Sequence, residues 1–326
     1  MKKILITGGA GYVGSMLTPY LLKKGYQITV LDLMIYGKSV IKEHKNLKIF
    51  VGDIRDQNLL EKIFPNHDAI IHLACISNDP SFELNPSLGK SINFDAFEPL
   101  VKIAQKSKIR RFINASSSSV YGIKSEKNVN EEMSLKPLTD YSKFKVDCEE
   151  ILKKYNCPSF CTVTLRPATI CGYSPRQRLD VIVNILTNLA FHKREISIFG
   201  GKQLRPNIHI KDMIRAYDLM LSAKDEKISG KIFNIGFENK SVKELAEIVK
   251  NKVGDDVQLK TAETNDNRSY HISSEKIKRE LNFSCKYDIA NAVEDLVDKF
   301  KENNFHNPLT NEKYFNIKTM KKINLK

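Results

Sequence analysis

The first half of the chain alternates short apolar runs with amphipathic patterns of helical spacing. Residues 3–7 contain three consecutive apolar residues, Ile4 to Ile6, which is typical of a buried strand, and residues 14–24 carry apolar side chains on one helical face. The alternation continues with predicted strands at 27–32, 47–51, 69–74, 111–116 and 161–166, and with predicted helices at 58–64, 86–106 and 140–154. Strands that alternate with helices are joined by right-handed crossovers. The pattern therefore predicts the α/β class, with a doubly wound parallel sheet.

After residue 166 the pattern becomes less regular, because proline and glycine residues interrupt it. Helices are predicted at 180–192, 212–223, 242–252, 274–281 and 289–302, and strands at 196–199 and 231–235. We assign residues 1–170 to the doubly wound domain, with 207–238 returning to it, and residues 171–326 mainly to a smaller C-terminal lobe. The tail beyond Lys301 is rich in Asn and Lys, so we expect it to be loosely held.

Composition excludes a membrane-spanning protein. The 326 residues are 41% hydrophobic and 28% charged, and no run approaches the roughly 20 apolar residues that cross a bilayer. The apolar run near the start breaks at Thr7, too soon for a signal peptide, so we expect a cytoplasmic protein. The six cysteines include no CxxC pair, so we expect no metal site.

The chain carries 52 Lys and Arg residues against 38 Asp and Glu residues, a net charge of +14. Such an excess is compatible with binding to nucleic acid, to an anionic membrane or to a phosphate-bearing small molecule. The basic residues are scattered and no nucleic-acid-binding module is visible, so we expect neither a nucleic-acid nor a membrane partner. The charge weakly favours an anionic small-molecule substrate.

A glycine-rich segment follows the first predicted strand and opens the first predicted helix. Its sequence, TGGAGYVG from Thr7 to Gly14, contains the GxGxxG pattern. Glycines permit a tight turn and the close approach of a pyrophosphate, whose charge the N–H groups of the helix N-terminus favour. The segment is typical of dinucleotide binding in a Rossmann-type sheet; a plain glycine-rich turn is the alternative. The cofactor-binding residues predicted here are Gly8, Gly11, Tyr12, Val13 and Gly14.

Asp32 ends the second predicted strand, where a carboxylate accepts hydrogen bonds from ribose hydroxyls and repels a 2′-phosphate. This favours NAD over NADP, although the nearby Lys38 leaves the use of both cofactors open. Four further cofactor-binding residues are predicted from their positions at strand ends alone: Asp53, Ile54, Leu73 and Ala74.

Tyr141 and Lys145 are four residues apart and therefore share one face of a predicted helix. Tyrosine has a pKa near 10, so it is a poor base at neutral pH unless positive charge, such as an ammonium or an oxidised nicotinamide, stabilises the phenolate. Ser117 lies in a serine run after a predicted strand, at the sheet edge where open α/β sheets bind ligands. A hydroxyl there holds a substrate oxygen while Tyr141 moves its proton.

These segments together resemble the extended short-chain dehydrogenase/reductases, and within them the NAD-dependent nucleotide-sugar epimerases and dehydratases typified by UDP-glucose 4-epimerase. The resemblance covers essentially the whole chain and rests on TGGAGYVG, Asp32, Ser117 ahead of Val120-Tyr121-Gly122, and Tyr141 with Lys145. It implies tightly held NAD, a C-terminal lobe that binds a nucleotide sugar, and a homodimer paired through helices near 90–106 and 141–154. It also implies that Ser117 is the active-site hydroxyl, Tyr141 the acid/base, and Lys145 both the activator of Tyr141 and a ligand of the nicotinamide ribose.

The resemblance extends to phosphate-binding arginines. Arg205 and Arg268 match two such family positions, and guanidinium groups suit bidentate phosphate recognition. For Arg176 and Arg178, contact with the ligand and plain solvent exposure are equal alternatives. The remaining predicted substrate-binding residues are Ser118, Ser119 and Thr169.

One departure from the family bears on the reaction. The sugar 4,6-dehydratases carry carboxylic acids directly after the active hydroxyl, where this chain has Ser118 and Ser119, so a standard dehydratase is disfavoured. The main hypothesis is an NAD-dependent epimerase that transiently oxidises a nucleotide sugar, at C4. The alternatives are a net C4 dehydrogenase or reductase, an atypical dehydratase and, in another class, a non-catalytic NAD-binding regulator. The nucleotide, the sugar and the inverted carbon stay open.

Overall fold

A seven-stranded parallel sheet forms the centre of the computed structural model, which describes residues 1–126, 128–264 and 269–325. The strands within these ranges are β1 Lys3–Thr7, β2 Gln27–Asp32, β3 Leu47–Val51, β4 Ala69–His72, β5 Arg111–Ala115, β6 Cys161–Pro167, β7 Thr169–Cys171, β8 Glu195–Phe199, β9 Leu204–His209, β10 Lys231–Ile235, β11 Glu238–Ser241 and β12 Gln258–Ala262. The central sheet has the order β3-β2-β1-β4-β5-β6-β10, and every neighbouring pair in it runs parallel. The predicted α/β class and doubly wound sheet are confirmed.

Helices cover both faces of this sheet, and further helices belong to the second half of the chain. They are α1 Gly14–Lys23, α2 Gln57–Ile63, α3 Asp79–Glu83, α4 Pro86–Lys90, α5 Phe97–Lys106, α6 Asp140–Tyr155, α7 Ile182–Lys193, α8 Ile210–Ser222, α9 Asp225–Ile228, α10 Val242–Val253, α11 Glu275–Leu281, α12 Ile289–Lys301 and α13 Asn316–Ile323. Among the described residues, none of these helices is long and apolar enough to cross a membrane.

The strand order reverses between β1 and β4. From β1 the chain moves outward through β2 and β3, and then returns to the other side of β1 to continue through β4, β5 and β6. The side chains of Ile4, Leu5 and Ile6 are fully buried, because helices cover the sheet above and below them. Such a reversal leaves a crevice at the carboxyl ends of the strands, where open α/β sheets bind ligands.

The second half of the chain adds two small sheets beside the central one. Strand β9 pairs with β7 in parallel and with β11 antiparallel, and β8 pairs with β12 in parallel. Helices α7, α10 and α12 pack together through buried apolar side chains, including Leu186, Leu245 and Val293. Strand β10 instead joins the edge of the central sheet beside β6.

The helix predicted over 86–106 is interrupted. A π-helical turn at Ser91–Asp95 separates α4 from α5. Within it, the Asn93 side chain accepts a hydrogen bond from the Ile76 amide at 2.8 Å and donates one to the Ile76 carbonyl at 2.9 Å. The turn therefore anchors the loop that follows β4, in agreement with the frequent occurrence of π-turns at functional sites.

The expectation of a loosely held tail is wrong for residues 312–323. A 3₁₀ turn at Glu312–Tyr314 leads into α13, and the side chains of Tyr314 and Met320 are only 4% and 6% exposed. The expectation was based on composition alone. The apolar residues of this segment are spaced among the lysines so that they form one face, and that face packs on the rest of the protein.

Candidate active site

The carboxyl ends of the central strands open into a cavity of about 600 Å³. The predicted site residues within the described ranges all line it: Gly8, Gly11, Tyr12, Val13, Gly14, Asp32, Asp53, Ile54, Leu73, Ala74, Ser117, Ser118, Ser119, Tyr141, Lys145, Thr169, Arg176, Arg178 and Arg205. Arg268, the remaining predicted residue, lies outside the described residues. Within those ranges, no group of three or more His, Cys, Asp or Glu side chains is placed to hold a metal ion.

The glycine-rich loop leaves bare backbone at one end of the cavity. Gly8 has a φ of 73°, and a Cβ there would lie 2.6 Å from the Ala74 amide nitrogen. A Cβ on Gly14 would lie 2.5 Å from the Gly8 carbonyl oxygen, so neither position accepts a side chain. Helix α1 begins after this loop, and no side chain caps its N-terminus at Val13. Bare backbone beside an uncapped helix N-terminus supplies the donors that a dinucleotide pyrophosphate requires, so these residues fit NAD.

Two carboxylates stand at the ends of neighbouring strands. Asp32 accepts hydrogen bonds from the amides of Ala10, at 2.9 Å, and Met34, at 2.8 Å, which fix it beside the glycine loop. Burial raises the pKa of Asp32 and these two amides oppose the rise. Partial burial also favours a higher pKa for Asp53, but hydrogen bonds from Arg55 outweigh it and the pKa of Asp53 is lowered. Asp32 is therefore positioned to accept a hydrogen bond from a ribose hydroxyl. Asp53 is instead paired with Arg55, and the sequence analysis did not predict this pair.

Ser117, Tyr141 and Lys145 come together on the opposite side of the cavity. Helix α6 places Tyr141 one turn before Lys145, and the Lys145 ammonium lies 5.8 Å from the centre of the Tyr141 ring. The same ammonium donates to the Ala115 carbonyl at 2.7 Å, which ties α6 to the end of β5. Ser117 follows Ala115 in a short loop, so strand β5 and helix α6 together position all three predicted catalytic residues.

The electrostatics of Tyr141 differ from the expectation that positive charge gives a phenolate near neutral pH. Burial raises the pKa of Tyr141 to about 12, and the Lys145 ammonium opposes that rise without cancelling it. Cys75 and Asp79 raise the pKa further, since negative charge on either one disfavours the phenolate. The charge of Lys145 by itself therefore leaves the neutral phenol as the favoured form of Tyr141.

A chain of hydroxyl groups leads away from Ser117. The Ser117 and Ser119 oxygens are 2.9 Å apart, the Ser119 and Ser142 oxygens 2.8 Å apart, and the Ser142 and Thr139 oxygens 3.1 Å apart. Thr139 donates in turn to the carboxylate of Asp79. Asp79 is buried and lines the same cavity, although the sequence analysis did not select it. Its signal was positional, because it follows the carboxyl end of β4 by only seven residues.

The arginines of the loop after β7 are buried, which removes solvent exposure as an alternative for Arg176 and Arg178. Only 3% of Arg176 and 7% of Arg178 is exposed. Arg178 donates to Asp180 at 2.8 Å and to the Ser77 hydroxyl at 3.1 Å. The Arg176 guanidinium stacks at 3.5 Å on the ring of Tyr36, which follows β2. Arg205 is half-buried across the cavity.

The C-terminal segment completes the cavity wall, a role that the sequence analysis missed. Asn316, Met320 and Leu325 line the cavity. The Asn316 side chain accepts hydrogen bonds from Arg176 and from the Tyr36 hydroxyl, and its backbone amide donates to Asp180 at 2.7 Å. The segment therefore connects the loop after β2 with the loop after β7.

Structural comparison places this fold among known enzymes. UDP-glucose 4-epimerase from Thermotoga maritima, solved with UDP-glucose, matches with a TM-score of 0.84 and 24% identity over 93% of this chain and all of the other. The dTDP-glucose 4,6-dehydratase DesIV from Streptomyces venezuelae, solved with NAD, matches with a TM-score of 0.84 and 23% identity over 94% of this chain and all of the other. At these identities the likeness shows the fold.

Sequence comparison shows the family. A dTDP-D-glucose 4,6-dehydratase from Dictyostelium discoideum is 31% identical over 72% of this chain, which spans 58% of that relative's length. A putative UDP-glucose 4-epimerase from Methanocaldococcus jannaschii is 29% identical over 92% of this chain and 99% of the relative. Relatives that differ in reaction leave the specific reaction of this chain undetermined. The profile of the NAD-dependent epimerase/dehydratase family matches residues 4–236, and the chain belongs to that family of NAD-dependent nucleotide-sugar enzymes.

Proposed function

We propose that the protein is a nucleotide-sugar 4-epimerase that transiently oxidises the sugar at C4. The observation that carries the proposal is the meeting of Ser117, Tyr141 and Lys145 in the cavity that also contains the glycine-rich loop. Ser118 and Ser119 support epimerisation over standard dehydration, because a hydroxyl cannot replace the carboxylic acid that expels water.

Each side chain has a defined part in the proposal. NAD, held by the glycine-rich loop and Asp32, would supply the hydride acceptor for the oxidation and the hydride donor for the reduction. Ser117 and Tyr141 hydrogen-bond the sugar oxygen, Tyr141 exchanges a proton with it as the acid/base group, and Lys145 stabilises the charge on that tyrosine. Arg176, Arg178 and Arg205 bind the phosphates of the nucleotide sugar, and Thr169 with the two serines surrounds the sugar. Holding sugar and cofactor in one orientation contributes to the rate through proximity.

The test is a panel of UDP, dTDP, GDP and CDP sugars, with the stereochemistry of the product followed by NMR. We expect inversion at C4 and no lasting absorbance from reduced cofactor. Tyr141→Phe is expected to lower kcat by about 10²–10⁴, the usual contribution of general acid–base catalysis. Tyr155→Phe, on the same helix but outside the cavity, is the matched control.

Three results would count against the epimerase. Lasting reduced cofactor would instead indicate a net dehydrogenase, and a product lacking one hydroxyl would indicate a dehydratase. Turnover that survives within about tenfold in Tyr141→Phe would remove the acid/base role of that residue.

A further inference from the structure

A second tyrosine reaches the cavity from the side of the sheet opposite Tyr141. Tyr217 lies on α8 and is only 1% exposed, yet it lines the same cavity as Tyr141 and the glycine-rich loop. We propose that the Tyr217 hydroxyl donates a hydrogen bond to the carboxamide oxygen of the nicotinamide and so holds that ring in one orientation. The proposal goes beyond the proposed function, because it depends on the binding of NAD and not on the sugar or the reaction.

The alternation of side chains along β1 shows that the two tyrosines belong to opposite faces of the central sheet. Ile4 and Ile6 pack in the apolar cluster that contains Tyr217. Leu5, between them, packs in the cluster that contains Tyr141. Successive side chains of a strand point to opposite faces of a sheet. A ligand that lies over the strand ends is therefore approached by one phenol from each side.

Helix α8 is fixed relative to the glycine-rich loop, because it packs beside α1, the helix that begins after that loop. Leu17 and Leu21 of α1 lie in the same buried cluster as Tyr217. Asp218, the next residue of α8, accepts a hydrogen bond from the Tyr20 hydroxyl of α1 at 3.2 Å. The contacts of α1 thus set the position of the Tyr217 ring.

The Tyr217 hydroxyl has no hydrogen-bond partner among the described residues. Other buried tyrosines do have one. The Tyr12 hydroxyl donates to the Gly172 carbonyl at 2.6 Å. The Tyr121 hydroxyl donates to the Asn234 side chain at 2.7 Å. A buried polar group without a partner destabilises a fold, so a hydroxyl that is left without one at the wall of a cavity points to a ligand as its partner.

The surroundings of the Tyr217 hydroxyl place it at the reacting end of the cavity. Burial raises the pKa of Tyr217, and negative charge on Cys75 or on Tyr141 raises it further, so both groups are near the hydroxyl. Cys75 follows Ala74, and a Cβ on Gly8 would meet the Ala74 amide. The segment after β4 therefore connects the glycine-rich loop with Tyr217.

The carboxamide is the polar group of NAD that suits this position. The reacting end of NAD presents ribose hydroxyls and the carboxamide of the ring, and Lys145 is the residue expected to bind the ribose. A phenol with a raised pKa stays neutral and keeps its proton, so it acts as a donor. The carboxamide oxygen is an acceptor.

A hydrogen bond to the carboxamide selects one face of the nicotinamide. The ring turns about its bond to the ribose, and half a turn exchanges the face that meets the sugar. The same half turn moves the carboxamide to the other side of the ring, away from Tyr217. Tyr217 therefore favours transfer of the hydride at one face.

The test compares two ligands in Tyr217→Phe. Protein freed of bound nucleotide is titrated by calorimetry with NAD and with ADP-ribose, which lacks the nicotinamide. We expect the Kd of NAD to rise by about three- to tenfold, the usual effect of losing one hydrogen bond, and the Kd of ADP-ribose to stay unchanged. Tyr20→Phe, which removes a hydroxyl outside the cavity, is the matched control and should change neither Kd.

Two further measurements separate binding from folding and fix the direction of the hydrogen bond. A hydroxyl without a partner stabilises nothing in the free protein, so Tyr217→Phe without nucleotide should melt at the wild-type temperature or above it. The 3-acetylpyridine analogue of NAD keeps the carbonyl oxygen and lacks the amide N–H groups. Tyr217→Phe should weaken its binding as much as that of NAD.

The outcomes are distinct. Equal losses for NAD and ADP-ribose, an unchanged Kd for NAD, or a lower melting temperature of the free variant would each overturn the proposal. A loss that appears with NAD but not with the acetylpyridine analogue would also overturn it, because Tyr217 would then accept from the amide. No titration contains a sugar, so a protein that epimerises none of the nucleotide sugars would overturn the proposed function alone.

Discussion

The Lys145 ammonium lies 5.8 Å from the centre of the Tyr141 ring and is held there by the Ala115 carbonyl. The anchoring matters because burial drives the pKa of Tyr141 upward and Lys145 is the largest opposing influence. Strand β5, which ends in Ala115, therefore determines how strongly the ammonium acts on the phenol.

Replacing Lys145 with Met is expected to raise the pKa of Tyr141 further, because the charge that favours the phenolate is gone. Any step that needs the phenolate should then reach its full rate only at higher pH, so the limb on which kcat rises with pH should move to higher pH. The measurement is kcat against pH at saturating NAD. Lys143→Met, exposed on the same helix, is the control. If the pH profile of Lys145→Met does not move, Lys145 does not control the ionisation of Tyr141.

Acid should destabilise the protein through His72. This side chain is 6% exposed between Phe97 and Phe112, and its Nδ1 lies 2.8 Å from the Thr7 hydroxyl. Burial, reinforced by Lys145, lowers the pKa of His72 to about 3. Between that value and the unfolded pKa of about 6.5, the unfolded chain binds the proton more readily. The stabilisation is therefore complete above pH 6.5 and is lost as the pH falls towards 3.

Urea unfolding at several pH values checks this linkage. The free energy of unfolding of the wild type should fall by up to about 1.4 kcal/mol per pH unit through His72 in that window. His72→Gln does not titrate and should show a smaller slope, whereas the exposed His44→Gln should keep the wild-type slope. Equal slopes in the wild type and His72→Gln would contradict the assignment.

Glu149 and Arg166 form a buried ion pair behind the catalytic residues, and each is less than 5% exposed. Glu149→Gln leaves a buried guanidinium without its carboxylate, so we expect a loss of about 3–5 kcal/mol in the free energy of unfolding. Glu150→Gln, next to it but exposed, should change little. Replacing both partners, as Glu149→Leu with Arg166→Met, should cost less than Glu149→Gln alone. A double variant that is less stable than the single would argue against this explanation.

Asn316 should slow the release of NAD, because it joins Arg176 to Tyr36 at the wall of the cavity. Asn316→Ala removes hydrogen bonds that contribute about 1 kcal/mol each, so dissociation of NAD should accelerate by roughly fivefold or more. The rate is measured by the loss of bound NAD after rapid dilution. Lys318→Ala, exposed on the same helix, should release NAD at the wild-type rate. If the wild type, Asn316→Ala and Lys318→Ala release NAD at the same rate, Asn316 has no role in holding the cofactor.

The sequence predicted those parts of the candidate site that lie within one short segment each. The glycine loop, Asp32 and the Tyr141–Lys145 pair each occupy a short segment whose geometry follows from strand or helix spacing. Asp79 and Asn316 escaped prediction because their partners lie 60 and 140 residues away along the chain. No spacing rule relates such positions, and only the packed sheet brings them together. Asn93, in the π-helical turn within the predicted helix over 86–106, likewise binds a partner that lies 17 residues away, the Ile76 backbone.

Helix α13 carries a further consequence. Asn316, at its start, binds Tyr36, which lies 280 residues earlier in the chain, and also Arg176, so this helix closes the wall of the cavity across two distant loops. A ligand enclosed by such an element leaves only as often as the element opens. Amide hydrogen exchange in Asn316–Ile323 then reports how often this part of the wall opens, and comparing that rate with the rate of NAD release tests whether the helix controls the exit of the cofactor.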